Sequence, residues 1–262
     1  MRVLIGLTLM GLAGLAQAAI KTEQVNYKSA DGTPLVAYYA YDDAIKGPRP
    51  GVLVVHEWWG LNDYAKRRAR DLAELGYSAM AIDMYGDGKN TEHPKDAMTF
   101  MQAALKDSGA ANQRFDAGLG QLKKQPQTNP DKIAAIGYCF GGKVVLDAAR
   151  RGEPLAGVVS FHGALAAQSP ARQGIKVPLL VEHGASDSMV KPEDVQAFKQ
   201  EMDAAGADYK FVSLEGAKHG FTNPDADRLS HGDHGGPDIG YNKEADQRSW
   251  ADMQAFFKKI FG

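Results

Sequence analysis

The chain has 262 residues, of which 44% are hydrophobic and 24% charged, and its formal net charge is −2. A chain of this size and apolar content can bury one large core. The sequence has no dense basic cluster and no acidic tail, which argues against nucleic acid and favours a small molecule as the main partner.

The first 18 residues have the pattern of a secretory signal peptide. Met1 and Arg2 provide a short positive start, residues 3–15 are mostly apolar, and Ala16-Gln17-Ala18 is a small-x-small cleavage site. The apolar stretch is short for a bilayer span. We therefore expect cleavage after Ala18 and secretion of residues 19–262 as a single domain, with the periplasm as the expected location. An uncleaved N-terminal membrane helix is the alternative.

The rest of the chain alternates between strand and helix patterns. An antiparallel edge hairpin is predicted at residues 23–27 and 35–40, around the turn Asp31-Gly32. Further strands are predicted at residues 51–56, 78–82, 132–136, 155–161, 178–183 and 209–214, and helices at 62–75, 96–106, 112–124, 143–149, 192–205 and 244–260. This order indicates an α/β fold with an open, mostly parallel central sheet and helices on both faces.

Residues 221–242 remain as one long irregular segment, rich in Asp, Gly, His and Pro. A loop of this length in a compact domain is more often functional than idle. We expect it to form part of a lid over the site.

A cysteine flanked by glycines marks the candidate active site. Cys139 lies between Gly137 and Gly141, where a predicted strand gives way to a predicted helix. This is the spacing of a nucleophile elbow, with cysteine in place of serine, because Cβ atoms at the two glycine positions would collide with the adjoining strand and helix. The start of a helix also favours a thiolate. A small buried hydrophobe is the alternative interpretation of Cys139.

Cys139 is also the only cysteine of the chain. It has no partner for an internal disulfide, and a single thiol in a secreted protein is either reactive or bonded to another chain. The elbow pattern favours the reactive thiol.

Asp187 and His219 follow Cys139 in the order nucleophile, acid, histidine that the α/β-hydrolase arrangement requires. Each comes after a predicted strand, and active sites of open α/β sheets lie at the carboxyl ends of strands. A turn or helix cap is the alternative for Asp187, and a surface loop is the alternative for His219.

The remaining histidines are weaker candidates for catalysis. A metal site built from His219, His231 and His234 is conceivable, but the spacing fits no helical ligand motif and no acidic cluster accompanies it. Neither a metal nor a cofactor is expected. His56 and His183 adjoin strand ends, His162 follows a strand, and His93 lies in a polar loop.

Two backbone N–H groups are expected to stabilise a developing oxyanion. One belongs to Phe140, directly after the nucleophile, and the other to the loop after the central strand at 51–56, where Trp58 is the candidate. Ordinary core packing is the alternative for Trp58 and its neighbour Trp59.

Taken together, these motifs resemble the dienelactone hydrolase family over nearly all of residues 19–262. The resemblance implies an α/β-hydrolase fold and a triad of Cys139, His219 and Asp187 that acts on esters or lactones. It also implies that the carboxylate of Glu57 contacts the resting thiol and helps form the thiolate when substrate arrives. A helix N-terminal charge or a salt bridge is the alternative for Glu57. The motifs that carry the resemblance are Gly137-Tyr138-Cys139-Phe140-Gly141-Gly142, Asp187, His219-Gly220-Phe221 and His56-Glu57-Trp58-Trp59-Gly60.

The chain departs from the resembled enzymes where they grip the carboxylate of a dienelactone with two arginines. Residues 83–89 occupy the first position and Asn223 the second, and an amide does not replace a planar guanidinium. Lys89 is the candidate to compensate in part. Tyr85 and Asn223 are the predicted pocket residues beside Trp58 and Phe140.

The resulting hypothesis is a secreted, carboxymethylenebutenolidase-type or related esterase that works through an acyl-enzyme on a small ester or lactone. No nucleic-acid partner and no permanent membrane anchor are expected. A thioesterase or peptidase is an alternative because the fold does not fix the substrate. A non-catalytic periplasmic binding module is another, and the lack of a Cys-x-x-Cys motif disfavours a thiol redox protein.

Overall fold

The structure is a computed structural model that describes residues 19–167, 174–230 and 236–262. The predicted signal peptide lies outside these residues, as do His231 and His234. The strands are β1 (Ile20–Lys28), β2 (Pro34–Asp42), β3 (Arg49–Val55), β4 (Ser78–Ile82), β5 (Thr128–Tyr138), β6 (Gly157–Phe161), β7 (Leu179–Gly184) and β8 (Tyr209–Leu214). The helices are α1 (Asp63–Glu74), α2 (Pro94–Lys106), α3 (Ser108–Lys123), α4 (Phe140–Arg151), α5 (Pro192–Ala204), α6 (Ala226–Ser230) and α7 (Lys243–Phe261).

Within the described residues, the strands form one sheet of eight, in the order β1-β2-β4-β3-β5-β6-β7-β8. Strand β1 pairs antiparallel with β2, and β2 antiparallel with β4, whereas every pairing from β4 to β8 is parallel. The predicted edge hairpin and the mostly parallel sheet are therefore both confirmed.

Alternating side chains of β3 show how the helices cover the sheet. Val52 and Val54 pack into the cluster that contains the buried residues of α1 and α7, whereas Leu53 and Val55 pack into the cluster that contains those of α3, α4 and α5. Successive side chains of a strand point to opposite faces, so both faces of the sheet are buried. The prediction of helices on both faces is confirmed.

The chain changes direction across the sheet at β3. Strand β4 lies on one side of β3, and β5 and the strands after it lie on the other. In open parallel sheets, ligands bind in the crevice at the carboxyl ends of the strands flanking such a switch point. The segments that leave β3 and β5 there begin at His56 and Cys139, which puts the predicted oxyanion loop and the elbow side by side.

The elbow glycines leave no room for a side chain. A Cβ on Gly137 would lie 2.1 Å from the carbonyl oxygen of Gly141, and one on Gly141 would lie 2.2 Å from the carbonyl oxygen of Val55. Both obstacles are backbone atoms, which cannot turn away as a flexible side chain does. The steric argument for Gly-x-Cys-x-Gly is confirmed.

Gly141→Ala is therefore expected to lower the free energy of unfolding by at least about 3 kcal/mol, or to prevent folding, because the backbones of β3 and α4 would have to separate. Gly120→Ala is the matched control, because Gly120 lies in α3 and a methyl group added there would meet nothing within 4 Å. It should change stability by no more than about 1 kcal/mol, in the stabilising direction. Urea unfolding of both variants measures the difference, and equal stabilities would contradict the steric argument.

The prediction that residues 221–242 are wholly irregular is wrong, because α6 lies within them. Five residues are too few for a hydrophobic periodicity to show in the sequence. Helix α3 also begins earlier than predicted, because the Asp107 side chain accepts a hydrogen bond from the Ala110 N–H and caps the helix. The lid role of the segment stays a prediction.

None of the helices within the described residues combines the length and apolar character needed to cross a bilayer.

Candidate active site

Cys139 occupies a strained turn between β5 and α4. Its φ is 54° and its ψ is −115°, a backbone conformation that non-glycine residues seldom adopt. The Cys139 N–H donates to the carbonyl oxygen of Phe161 on the neighbouring strand at 3.0 Å, which helps to hold the turn. The side chain is partly exposed and stands at the N-cap of α4. The sulfur is therefore accessible to a substrate, and the positive end of the α4 dipole lies where it stabilises a thiolate.

Asp187 and His219 meet through a direct hydrogen bond. The Asp187 Oδ2 atom lies 2.9 Å from His219 Nδ1, and the Asp187 side chain is fully shielded from solvent. The other carboxylate oxygen, Oδ1, accepts the backbone N–H of Met189 at 2.9 Å. Asp187 thus makes both the predicted contact with histidine and the alternative turn contact, one with each oxygen.

The far side of the His219 ring is directed towards the thiol. Its Nε2 atom is buried and, among the described residues, has no hydrogen-bond partner of ordinary geometry. The Cys139 sulfur is nevertheless close enough to act on the ring electrostatically. Burial lowers the pKa of His219, but the charge on Cys139 and the bond to Asp187 outweigh it and raise the pKa to about 10. Once Cys139 has lost its proton, the imidazolium form of His219 is therefore stabilised by both neighbours, and such contacts often tighten only when substrate binds.

Glu57 comes two residues after β3, and its buried side chain lies close enough to His219 to be affected by its charge. The side-chain amide of Asn223 donates from Nδ2 to Glu57 Oε2 at 2.7 Å. Burial raises the pKa of Glu57 to about 7, against the opposing effects of the Asn223 hydrogen bond and the positive charges of His219 and Arg68. Glu57 can therefore change protonation near neutral pH. Its contact with the thiol, which the family resemblance implies, stays a prediction.

Aromatic side chains form the wall between the β3 and β5 loops. The Tyr85 hydroxyl donates to the carbonyl oxygen of Trp58 at 3.0 Å, and the Tyr85 and Phe140 rings lie 5.5 Å apart. Phe140 is the first residue of α4, where backbone N–H groups have no partner within the helix. Trp59 is fully buried, as expected for a core aromatic.

His56 has a structural position behind this wall. Its Nδ1 donates to the carbonyl oxygen of Glu57 at 2.5 Å, and its Nε2 accepts the N–H of Met84 at 3.2 Å. Two backbone partners of opposite kind hold a neutral ring, and burial lowers its pKa. His56 ties the loop after β3 to the loop after β4, in agreement with the hydrogen-bonding role expected from its sequence position.

The loop at residues 83–89, where the resembled enzymes carry an arginine, is organised by an aspartate. Asp83 Oδ1 accepts the N–H groups of Tyr85 and Gly86, and Oδ2 accepts that of Gly88 at 2.8 Å. The Lys89 side chain is exposed. The carboxylate therefore shapes the loop that presents Tyr85, and the compensating role of Lys89 stays a prediction.

An exposed carboxylate links the neighbours of Asp187 and His219. Asp238 accepts from Ser188 Oγ at 2.6 Å with one oxygen and from Lys218 Nζ at 2.7 Å with the other. The backbone of Ile239 also forms a bridge with His219. No sequence pattern indicates these contacts of Asp238, because Asp238 lies in a polar segment without periodicity.

The described residues bring together no group of three histidine, cysteine or acidic side chains that could hold a metal ion. The alternative metal site requires His231 and His234, which lie outside the described residues.

A parallel sheet with a strained strand-to-helix turn after β5, and a hydrogen-bonded aspartate and histidine after β7 and β8, is typical of an α/β-hydrolase. The chain belongs to the dienelactone hydrolase family, whose family model matches residues 35–261. It is thereby placed among hydrolases of esters and lactones.

The similarity extends along most of the chain. A crystal structure of a dienelactone hydrolase-like promiscuous phosphotriesterase from metagenomic libraries is 37% identical, covers 93% of this chain and 100% of its own, and gives a TM-score of 0.85. A protein from Methylorubrum extorquens named "Putative carboxymethylenebutenolidase" is 25% identical, with 93% of this chain and 85% of its own covered. Protein usf from Aquifex pyrophilus is 28% identical, with 80% of this chain and 88% of its own covered.

Proposed function

We propose that this protein hydrolyses small uncharged esters or lactones, with Cys139 as the nucleophile. One observation carries the proposal: a partly exposed sulfur on a strained strand-to-helix turn, beside an imidazole whose other nitrogen is bonded to a buried aspartate. An interaction module would gain nothing from the strained backbone at Cys139, which costs about 1–3 kcal/mol in such conformations.

The reaction follows from the roles of these three groups. His219 takes the proton of Cys139, and the thiolate attacks the carbonyl carbon of the substrate to form a tetrahedral oxyanion. The oxyanion collapses to a thioester on Cys139, and His219 gives its proton to the departing alcohol. A water molecule then transfers a proton to His219 and attacks the thioester, which releases the acid and restores the thiol. Asp187 holds the imidazole in the tautomer that these transfers require.

Two backbone N–H groups support the oxyanion in this proposal, those of Phe140 and Trp58. Phe140 stands at the N-terminus of α4 and Trp58 in the loop after the neighbouring strand β3, and this neighbouring placement supports the assignment of both N–H groups to one oxyanion site. Glu57 assists by moving away from the thiol, or by taking up a proton, when substrate arrives. Its pKa of about 7 supports a role that involves a change of protonation.

An uncharged substrate is favoured by the groups around Glu57. A substrate carboxylate would approach the Glu57 carboxyl group, whose hydrogen-bond partner Asn223 is a neutral amide. Like charges in a buried site repel, and a guanidinium partner is lacking at this position. We therefore expect neutral acyl groups to bind better than acidic ones.

Hydrolysis of matched short esters, lactones and thioesters, each with and without a free carboxylate, tests this proposal. We expect the neutral ester or lactone to have a kcat/KM at least about tenfold above that of its acidic counterpart, which corresponds to about 1.4 kcal/mol. Lys259→Ala is the control and should leave this ratio unchanged, because Lys259 is exposed and pairs with Asp208 just before β8, at the end of the sheet opposite the catalytic loops. A protein that cleaves none of the panel would contradict the proposed function, and a preference for acidic substrates would contradict the neutral pocket.

Phosphotriester cleavage is a second candidate. It is favoured by the 37% identity to a protein described as a promiscuous phosphotriesterase, which the chain matches over that protein's full length. Phosphate triesters are uncharged, which fits the neutral substrate proposed above. Adding a neutral phosphate triester to the panel compares the two activities directly.

We further propose that the protein acts after export to the periplasm. The basis is the sequence of residues 1–18, which has a positive start, an apolar stretch and a small-x-small cleavage site. Mass spectrometry of the exported protein tests this, and an N-terminus still beginning at Met1 would contradict it.

A further inference from the structure

A chain of buried polar side chains runs from α1 to the back of the catalytic imidazole. It consists of Arg68 and Tyr64 on α1, Thr222 three residues after His219, and His162 directly after β6. All four side chains are buried. We call this group the Thr222 network.

The proton positions in the network follow from its donors. Arg68 Nε donates to the Tyr64 oxygen at 3.3 Å, since a guanidinium has no acceptor. The hydroxyl oxygens of Tyr64 and Thr222 lie 2.6 Å apart, and Thr222 Oγ1 lies 2.8 Å from His162 Nε2. The arrangement that uses each hydroxyl proton has Tyr64 donating to Thr222 and Thr222 donating to His162. Nε2 of His162 is then an acceptor, and the proton of the neutral ring is on Nδ1, which is buried and has no hydrogen-bond partner among the described residues.

His162 is surrounded by groups that oppose a positive charge on it. Burial lowers the pKa of His162 well below its usual value, and positive charge on His219, Arg68 and His183 lowers it further. These groups come from the loop after β8, from α1 and from β7, and Tyr138 of β5 faces the ring at 6.1 Å between centroids. His162 therefore remains neutral where His219 carries a proton.

The two histidine rings are in direct contact. The His162 and His219 rings lie 5.2 Å apart between centroids with an interplanar angle of 64°, so that an edge of one meets the face of the other. Arg68 also donates from Nη2 to the backbone carbonyl of Thr222 at 2.8 Å and forms an ion pair with Asp246 of α7. The loop that carries His219 is thus fixed at the Thr222 backbone as well as through the Thr222 hydroxyl.

We propose that Thr222 is a positioning residue for His219, its hydroxyl holding the neutral His162 ring against the catalytic imidazole. This inference rests on the proposed function, in which His219 is the base. If Thr222 loses its hydroxyl, His162 loses its donor at Nε2 and is free to change tautomer or to turn. The His219 ring is then held less firmly against Asp187 and Cys139, the two groups that raise its pKa, and its pKa falls.

Thr222→Val and Thr222→Ser form a matched pair for the test. Valine keeps the shape of threonine and lacks the hydroxyl, whereas serine keeps the hydroxyl. We expect Thr222→Val to lower kcat for p-nitrophenyl acetate about tenfold, the loss of about one hydrogen bond, with KM within twofold of wild type. The high-pH limb of its kcat profile should move to lower pH, because a His219 with a lowered pKa loses its imidazolium proton at a lower pH. Thr222→Ser should restore kcat and the pH profile.

Tyr64→Phe provides a second variant in case Thr222→Val does not fold. It removes the hydroxyl that donates to Thr222 and should shift the pH profile in the same direction by a smaller amount. Thermal unfolding of all three variants separates positioning from simple loss of stability. A Thr222→Val or Tyr64→Phe enzyme with wild-type kcat and pH profile would overturn the inference.

Nuclear magnetic resonance of protein labelled with ¹⁵N-histidine gives a readout that does not depend on catalysis. We expect His162 Nε2 to be unprotonated in wild type and Thr222→Ser, and the His219 titration to move to lower pH in Thr222→Val. If wild type hydrolyses none of the ester panel, the proposed function fails, and the His219 titration still decides the positioning role: a shift in Thr222→Val supports it and an unchanged titration overturns it.

Discussion

Cys139→Ala is expected to abolish ester hydrolysis without unfolding the protein. In the proposed mechanism the sulfur forms the bond to the acyl group, and no other thiol exists in the chain. Loss of a covalent nucleophile lowers kcat by roughly 10⁴-fold or more in triad enzymes. Alanine retains the Cβ atom, so the strained backbone at position 139 should be held as before. Turnover of p-nitrophenyl acetate, measured together with the unfolding midpoint, tests both halves of the expectation.

Cys139→Ser is the companion variant, since it retains a nucleophile of similar size. It should be slow as well, because His219 and the α4 N-terminus are matched to a thiolate and an alcohol is far harder to deprotonate. Alkylation of the wild-type thiol should remove the same activity. Wild-type turnover by Cys139→Ala would refute the assignment of the nucleophile.

Asp187→Asn is expected to lower kcat roughly 10³–10⁴-fold, the size of effect seen when the triad histidine is held in the wrong tautomer. Both oxygens of Asp187 act as acceptors, one for the N–H of Met189 and one for His219 Nδ1. An asparagine has a single acceptor oxygen. If that oxygen stays with Met189, the amide NH₂ faces His219, which must then carry its proton on Nε2 and cannot accept one from Cys139.

Asp208→Asn is the matched control for Asp187→Asn. Asp208 is exposed and has an ion pair with Lys259 at 3.6 Å, remote from the catalytic loops. Its loss should leave kcat within about twofold and stability within about 0.5 kcal/mol. A kcat for Asp187→Asn equal to that of the control would show that His219 does not depend on Asp187.

The parts of this structure that can be predicted from sequence depend on short-range geometry. Gly137 is predictable because a Cβ there would collide with Gly141, four residues further along the chain. Gly141 lies against Val55 of β3, which is distant in sequence, so its role is predicted from the general elbow motif. The edge hairpin is predictable for the same reason as Gly137, since the turn at Asp31-Gly32 joins strands adjacent in sequence. The proximity of Asp187 and His219 follows from a further rule, that parallel strands present their carboxyl ends along one edge.

The Thr222 network and the Glu57–Asn223 pair are beyond the reach of sequence reasoning. Tyr64 and Thr222 are 158 positions apart, and Glu57 and Asn223 are 166 apart. Such contacts depend on how α1 and the loop after β8 pack against the sheet, which no local pattern specifies. His162 is a weak candidate from sequence because a lone histidine after a strand does not reveal which ring it will touch.

The strands up to β4 lie on one side of β3 and the strands from β5 onwards on the other, and this arrangement affects how the substrate preference of the protein can change during evolution. Cys139, Asp187 and His219 follow strands at the middle and one side of the sheet, whereas the loop after β4 and the segment after His219 add further side chains around them. Selection for a new substrate can alter that loop and that segment while the strands keep the three proposed catalytic residues in place. One scaffold can thus yield descendants with distinct preferences and shared chemistry.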